Sequence, residues 1–137
     1  MDDINQTHGS SNESRKKKIL IVEDDSFLSE MYSTKLELAN FEVFIATNGE
    51  EGLDKMKLNK PDLVLLDLLM PQKNGFEVLK EKFVNPEIKD IPVIVLTNLS
   101  QKEQIKKCYE LGAKDFLIKA YFIPTEVIKK IRNLIGE

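Results

Sequence analysis

Short apolar runs alternate with amphipathic stretches along most of the chain. Continuous apolar runs rich in β-branched residues are typical of strands that are buried on both faces of a sheet. Apolar residues spaced three and four apart instead indicate helices that pack by one face. These patterns predict strands at residues 19–22, 41–46, 62–66, 91–96 and 115–118, and helices at residues 26–40, 53–58, 76–83, 100–112 and 124–135.

Local signals mark several ends of these elements. The pair Asn48-Gly49 predicts a turn before the second helix. Ser100, followed three residues later by Glu103, predicts a capping box that opens the fourth helix, and Gly112 is expected to close it. We therefore expect the helix boundaries to follow the polar and glycine residues between the apolar stretches.

Aromatic and sulfur-containing side chains extend this interpretation. Cys108 lies on the apolar stripe of the fourth helix and is predicted to be a small, semi-buried hydrophobe. Phe44, Phe76 and Phe83 are predicted to be core or sheet-packing residues. Tyr109 and Tyr121 are candidates for an outer surface built from the fourth helix, the fifth strand and the fifth helix.

The alternation of five strands with five helices determines the predicted architecture. Strand–helix–strand units place neighbouring strands parallel through right-handed crossovers. We therefore predict an α/β fold with a doubly wound five-stranded parallel sheet and helices on both faces. Residues 1–17 are predicted to be a disordered polar tail, because they offer little apolar surface to offset the entropy of ordering, and residues 18–137 to be the folded domain.

Composition excludes several classes of protein. The 20 Lys and Arg residues against 23 Asp and Glu residues give a net charge of −3, which argues against direct nucleic-acid binding through bulk positive charge. The one cysteine excludes an internal disulfide and a cysteine-cluster metal site. The chain has no apolar run near the roughly 20 residues that span a bilayer, so we expect no membrane partner and a cytoplasmic location.

Histidine chemistry is also excluded from the predicted domain. The chain has one histidine, His8, and it lies in the predicted tail. Catalytic mechanisms that need a histidine base or a histidine metal ligand therefore have no candidate in residues 18–137.

Polar residues follow four of the predicted strands directly. Glu23 and Asp24 come after the first strand, Asp67 after the third, Thr97 after the fourth and Lys119 after the fifth. The carboxyl ends of parallel strands meet at one edge of the sheet, where ligands bind at the switch point of the winding. We therefore expect these five side chains to come together.

This set of groups suits phosphoryl transfer. Three crowded carboxylates repel one another and need a counter-charge, which an oxygen-ligated Mg²⁺ would provide. A lysine ammonium and a threonine hydroxyl are suited to hold the oxygens of a phosphoryl group. The plausible nucleophile is a carboxylate, which would give an aspartyl phosphate.

Four motifs occur in order along the chain: Ile19-Leu-Ile-Val-Glu-Asp-Asp25, Leu65-Leu-Asp-Leu-Leu-Met-Pro-x-x-x-Gly75, Pro92-Val-Ile-Val-Leu-Thr97 and Gly112-Ala-Lys-Asp-Phe-Leu-Ile-Lys119. With them the sequence resembles a receiver domain of bacterial two-component response regulators, over about residues 18–136. The resemblance implies a flavodoxin-like sheet with the strand order 2-1-3-4-5.

The resemblance also implies roles for the polar residues. Asp67 matches the phosphoacceptor, and Glu23 and Asp24 match the acidic pair that holds Mg²⁺ together with Asp67. Leu69 matches the position whose backbone carbonyl is a further metal ligand. Lys119 matches the lysine that pairs with the phosphoryl group.

Two positions match the residues that transmit the switch. Thr97 matches the hydroxyl that moves to the phosphoryl group, and Phe116 matches the aromatic residue that rotates inward on activation. The resemblance implies a histidine kinase or phosphotransfer protein as phosphodonor and a downstream protein on the outer surface around the fourth helix. It implies a monomer or a phosphorylation-dependent dimer, and no catalysis beyond the domain's own phosphorylation and dephosphorylation.

The sequence departs from the family pattern at three positions. Ala120 replaces the proline that usually follows a cis bond after the lysine, which leaves open a trans bond with a rearranged loop or a strained cis bond. Asn98 follows Thr97 where a smaller residue is common, and Leu69 places an apolar side chain beside Asp67. Either residue could change the access of water to an acyl phosphate. Asp25 either caps the first helix or contributes to the site.

Three other functions fit parts of the pattern. A haloacid-dehalogenase-like phosphatase would need an acid two residues after the nucleophile, where this chain has Leu69. A flavodoxin would need a phosphate-binding loop after the first strand, where this chain has three acids. A degenerate receiver that acts as a constitutive adaptor is the main alternative.

Because the last predicted helix ends near residue 137, we expect no attached output domain.

Overall fold

The computed structural model describes residues 15–137. The strands are β1 (Lys18–Val22), β2 (Glu42–Ala46), β3 (Leu63–Leu66), β4 (Val93–Thr97) and β5 (Asp115–Ile118). The helices are α1 (Ser26–Leu38), α2 (Gly49–Asn59), α3 (Gly75–Phe83), α4 (Lys102–Glu110) and α5 (Pro124–Ile135), with a 3₁₀ turn at Lys119–Tyr121. Most of the predicted tail, residues 1–14 with His8, lies outside the described residues.

The five strands form one parallel sheet in the order β2-β1-β3-β4-β5. The chain therefore runs from β1 to β2 at one edge, crosses back over β1 to β3, and continues through β4 to β5 at the other edge. This reversal places the switch point between β1 and β3, where helices on opposite faces leave a crevice at the carboxyl ends of the strands. The predicted α/β fold and its strand order are confirmed.

Two apolar cores lie on the two faces of the sheet, because successive side chains of a strand point to opposite faces. In β1, Leu20 and Val22 face the core that is shared with α2, α3 and α4. Ile19 and Ile21 face the core that is shared with α1 and α5. The central strands are buried on both faces, which explains their continuous apolar sequences.

Several local predictions need correction. Asn48 is the N-cap of α2 rather than part of a free turn, since its side chain accepts a hydrogen bond from the Glu51 N–H. The predicted capping box at Ser100 is wrong, because α4 begins after Gln101 and has no side-chain cap. Phe83 is exposed rather than in the core, because it lies at the last turn of α3.

Other local predictions are confirmed. Gly112 follows α4 with a φ of 97°, a left-handed conformation that suits a glycine at the end of a helix. Cys108 is fully buried in the core on the α2–α4 side, and burial raises the pKa of its thiol to about 11. A thiol of this kind behaves as a packing group.

Gly75 holds the loop after β3 close to the start of α3. A Cβ at this position would lie 2.5 Å from the Asp67 carbonyl oxygen and 2.7 Å from the Leu68 Cα. The Gly75 N–H also donates to the Leu68 carbonyl at 3.0 Å. The absence of a side chain therefore lets the loop fold back directly beneath Asp67.

Two leucines provide a matched test of the core. Leu66 in β3 is 0% exposed and Leu58 near the end of α2 is 79% exposed. We expect Leu66→Ala to lower the free energy of unfolding by about 2–5 kcal/mol, and Leu58→Ala to change it by less than about 0.5 kcal/mol. Urea unfolding followed by circular dichroism measures both. Equal effects of the two substitutions would contradict this description of the core.

Lys82 is a buried lysine in the last turn of α3. Its Nζ donates to the Lys89 carbonyl at 2.8 Å. Burial lowers the pKa of Lys82 to about 8; the charge of Asp90 opposes this shift and that of Lys114 adds to it. Between pH 8 and 10.5 the unfolded chain therefore binds a proton that the folded chain does not.

This difference in proton binding predicts a dependence of stability on pH. The contribution of Lys82 to the free energy of unfolding should rise as the pH increases from 7 to 10. We expect the stability of the wild type relative to Lys82→Met to increase over this range, measured by urea unfolding at each pH. The control Lys80→Met, on the exposed side of α3, should show no such trend. A flat difference for Lys82→Met would mean that the buried amine keeps its proton.

Candidate functional site: the carboxyl edge of the sheet

The register of the sheet brings the predicted site residues to one edge. Val22 pairs with Leu66, and the Asp67 N–H continues this pairing by donating to the Val22 carbonyl at 3.0 Å. Leu66 in turn pairs with Val95, and Thr97 pairs with Ile118. Residues separated by almost the whole domain in sequence therefore leave the sheet side by side.

Three carboxylates form a compact acidic cluster at this edge. Glu23, Asp24 and Asp67 each offer one carboxylate oxygen, and these oxygens lie within 4.8 Å of one another. Glu23 and Asp67 are buried, whereas Asp24 is exposed. Several hard oxygen donors with one side open to solvent fit Mg²⁺, which keeps some of its water ligands in proteins. The residues present are therefore compatible with a magnesium site.

Lys119 supplies the cation at the centre of the cluster. Its Nζ lies 2.7 Å from Glu23 Oε1 and 3.2 Å from Asp67 Oδ2. Burial acts to lower the pKa of the Lys119 ammonium, but its hydrogen bond to Glu23 and the charge of Asp67 outweigh burial and raise the pKa. Burial raises the pKa of the Glu23 carboxyl, although the hydrogen bond from Lys119 opposes the shift. The ammonium therefore stays charged between two carboxylates that have little contact with water.

The Asp67 carboxylate is held from two sides. Its Oδ1 accepts from the Leu68 N–H at 2.7 Å and, more weakly, from the Leu69 N–H at 3.4 Å. Its Oδ2 faces Lys119. These contacts fix the orientation of the group while leaving it at the crevice. The side chain of Leu69 is 59% exposed, so it lies at the rim of the site rather than covering Asp67.

The two predicted switch residues are on neighbouring strands. Thr97 ends β4 and is fully buried, and its Oγ1 accepts a long hydrogen bond of 3.5 Å from the Leu99 N–H. Phe116 lies in β5, where it is half-buried and packs against the core on the α2–α4 side. A hydroxyl with such a long hydrogen bond loses little free energy when it leaves the Leu99 N–H for a stronger hydrogen-bond partner.

Asp25 caps α1, which decides between the two interpretations of this acid. Its Oδ1 accepts from the N–H groups of Phe27 and Leu28, at 3.0 and 3.2 Å. Its own N–H donates to Glu23 Oε2 at 3.1 Å. Asp25 therefore supports the acidic cluster through its backbone, and its carboxylate is used by the helix.

The loop after Lys119 resolves the question raised by Ala120. No peptide bond among the described residues is cis, so the Lys119–Ala120 bond is trans. The chain instead makes the single 3₁₀ turn at Lys119–Tyr121. The Ala120 N–H donates to Asn98 Oδ1 at 3.2 Å, a contact that the sequence pattern does not predict. The one sign of this contact in the sequence is that both Asn98 and Ala120 depart from the family pattern.

Both tyrosines that were assigned to the outer surface are exposed. Tyr109 on α4 lies with its hydroxyl 3.4 Å from Asp115 Oδ1, and Tyr121 lies in the turn after β5. Within residues 15–137, no helix combines the length and the apolar character needed to cross a membrane.

Comparisons with known proteins agree with this geometry. The sequence model of the response regulator receiver domain family matches residues 19–132. The chain is 35% identical over 120 residues to the chemotaxis protein CheY of Thermotoga maritima, covering 86% of this chain and 97% of that protein. It is 39% identical over 123 residues to the probable transcriptional regulator ycf27 of Cyanophora paradoxa, covering 90% of this chain and 50% of that protein.

A solved structure shows the same fold. The crystal structure of the phosphorylated cyanobacterial phytochrome response regulator RcpA is 28% identical, with a TM-score of 0.78, and the match covers 90% of this chain and 96% of that one. The chain belongs to the response regulator receiver domain family, a class of two-component signalling domains. It spans about half the length of the ycf27 relatives that it matches.

A paired substitution tests the acidic cluster as a magnesium site. We expect Asp24→Asn to weaken Mg²⁺ binding by about tenfold or more, because it removes the charge of a ligand. Substituting a group that only supports a ligand already costs about 10–100-fold in metal affinity, so the loss of a ligand's charge should cost at least the lower value. Isothermal titration calorimetry measures the affinity. Asp25→Asn removes the same charge one residue away and keeps the oxygen that caps α1, so it should bind Mg²⁺ nearly as the wild type does. Equal weakening in both variants would show that only the net charge matters.

Proposed function

We propose that this domain is a phosphorylation switch that accepts a phosphoryl group on Asp67 from the phosphohistidine of a histidine kinase or phosphotransfer protein. The observation that carries the proposal is the position of Asp67. Its carboxylate is oriented by backbone N–H groups, contacts the Lys119 ammonium and shares an acidic cluster with Glu23 and Asp24. A nucleophilic carboxylate in this setting needs only positioning and charge compensation to react.

Each residue of the edge has a distinct part in the transfer. A carboxylate oxygen of Asp67 forms the new bond to phosphorus while the bond from phosphorus to the donor nitrogen breaks, and the electron pair of that bond stays on the nitrogen. Lys119 and the Thr97 hydroxyl contact the oxygens of the transferred group. Glu23, Asp24, Asp67 and the Leu69 carbonyl would hold Mg²⁺, which would neutralise the charge that gathers on those oxygens.

The output of the switch is a change in surface affinity. When the Thr97 hydroxyl moves to the phosphoryl group, the space behind it becomes available to Phe116 from the neighbouring strand. The surface of α4, β5 and α5 then changes shape, and a downstream protein binds it with a different affinity. The exposed Tyr109 is a contact residue on this surface. The domain acts as a monomer or as a phosphorylation-dependent dimer, and its only catalysis is its own phosphorylation and dephosphorylation.

The relatives support this proposal. RcpA was crystallised in a phosphorylated form, and CheY and ycf27 are named for chemotaxis and for transcriptional regulation. We propose that this domain works in the cytoplasm, where the phosphodonor would be found. The alternative, a constitutive adaptor, rests on the departures at Asn98 and Ala120, and an intact acidic cluster with its lysine favours the switch.

Phosphorylation by a small-molecule phosphodonor tests the proposal. We expect the wild type, incubated with acetyl phosphate and Mg²⁺, to gain one phosphoryl group by intact mass spectrometry. Asp67→Asn should gain no phosphoryl group, because a side-chain amide is not a nucleophile for this reaction. Asp54→Asn, which changes an exposed aspartate on α2, should be phosphorylated as the wild type is.

Removal of the metal completes this experiment. Chelation with EDTA should abolish the gain in mass, since the carboxylates would then repel the incoming phosphoryl group. A wild type that binds Mg²⁺ but takes up no phosphoryl group would contradict the switch and support the adaptor. A gain that persists in Asp67→Asn would assign the modification to another residue.

A further inference from the structure

The two positions where the chain departs from its family around Lys119 contact each other. Asn98 directly follows Thr97 at the end of β4, and Ala120 directly follows Lys119 at the end of β5. Thr97 and Ile118 form the last pair of the β4–β5 ladder. Beyond that pair, the Ala120 N–H donates to Asn98 Oδ1 at 3.2 Å, so a side chain extends the link between the two strands past the sheet.

The 3₁₀ turn explains why this N–H needs a partner from outside. The first N–H groups of a helical turn have no acceptor within it. Ile118, at the N-cap of this turn, provides no side-chain acceptor, and the Phe122 N–H closes the other end of the turn by donating to the Lys119 carbonyl at 3.4 Å. Asn98 supplies the missing acceptor. A proline at position 120 would have no N–H to donate, so the two residues depend on each other.

We propose that Asn98 is a positioning residue for Lys119, through its hydrogen bond to the Ala120 N–H. The proposal rests on the proposed phosphorylation of Asp67. The bond fixes the backbone at the point where the Lys119 side chain begins, and this side chain must reach both Glu23 and Asp67.

The bond also joins the two groups that would contact the phosphoryl oxygens. Thr97 directly precedes Asn98, which accepts the bond, and Lys119 directly precedes Ala120, which donates it. Phosphorylation would draw the Thr97 hydroxyl toward the phosphoryl group. The hydrogen bond of the adjoining Asn98 then limits how far the turn after Lys119 can separate from the end of β4. The bond therefore links the strand end that carries the hydroxyl to the turn that carries the ammonium as the β4–α4 loop moves.

A double-substitution experiment tests this role. The rate of phosphorylation by acetyl phosphate is measured for the wild type, Asn98→Ala, Ala120→Pro and the double variant. We expect Asn98→Ala to slow the wild-type reaction about two- to tenfold, the value of one exposed hydrogen bond. In the Ala120→Pro background, which has no N–H to donate to Asn98, the same substitution should leave the rate nearly unchanged, because the bond is already absent.

A second measurement does not depend on phosphorylation. Hydrogen exchange at the Ala120 amide, followed by NMR without a phosphodonor, should be faster in Asn98→Ala than in the wild type. Ser100→Ala, an exposed change in the same loop, should alter neither the exchange nor the rate.

Each result has a defined meaning. An equal loss of rate from Asn98→Ala in both backgrounds, or no loss in the wild-type background, would overturn the positioning role. Unchanged exchange at Ala120 would overturn the bond itself. A wild type that takes up no phosphoryl group, with exchange still faster in Asn98→Ala, would reject the proposed function and the positioning role while retaining the bond.

Discussion

The contact of Lys119 with Glu23 and Asp67 is the constraint on which the rest of the site depends. Two carboxylates with little access to water are costly unless a cation lies between them, and removing one partner would leave an uncompensated charge. The lysine comes from the end of β5, 96 residues after Glu23. The charge balance therefore exists only when β1, β3 and β5 have all taken their places in the sheet.

The sheet provides this arrangement through register rather than through local sequence. Each of the central strands β1, β3 and β4 is buried on both faces by helices, so its position is fixed by two cores at once. The polar residues begin where the apolar strands end, and parallel register brings those ends level. Gly75 then lets the start of α3 lie against the backbone of Asp67 and Leu68, where a Cβ would clash.

Much of the fold and of the candidate site was predictable from the sequence. The strands are predictable because their apolar runs are short and rich in β-branched residues, and Glu23, Asp24, Asp67, Thr97 and Lys119 stand at the ends of these runs. The errors are local. The pattern predicts Ser100 as the cap of α4 and Phe83 as a packing residue, and both predictions are wrong, because residue type and spacing do not show where a helix begins relative to its neighbours.

The fold class, the family and the set of chemical groups at the edge follow from periodicity and residue identity, so the linear pattern is enough to predict them. How those groups are used depends on the packed structure. It assigned the carboxylate of Asp25 to the cap of α1, made the bond after Lys119 trans, and placed Asn98 against the Ala120 N–H. These outcomes depend on distances between atoms far apart in the chain, which the packing of the sheet sets and a linear pattern does not contain.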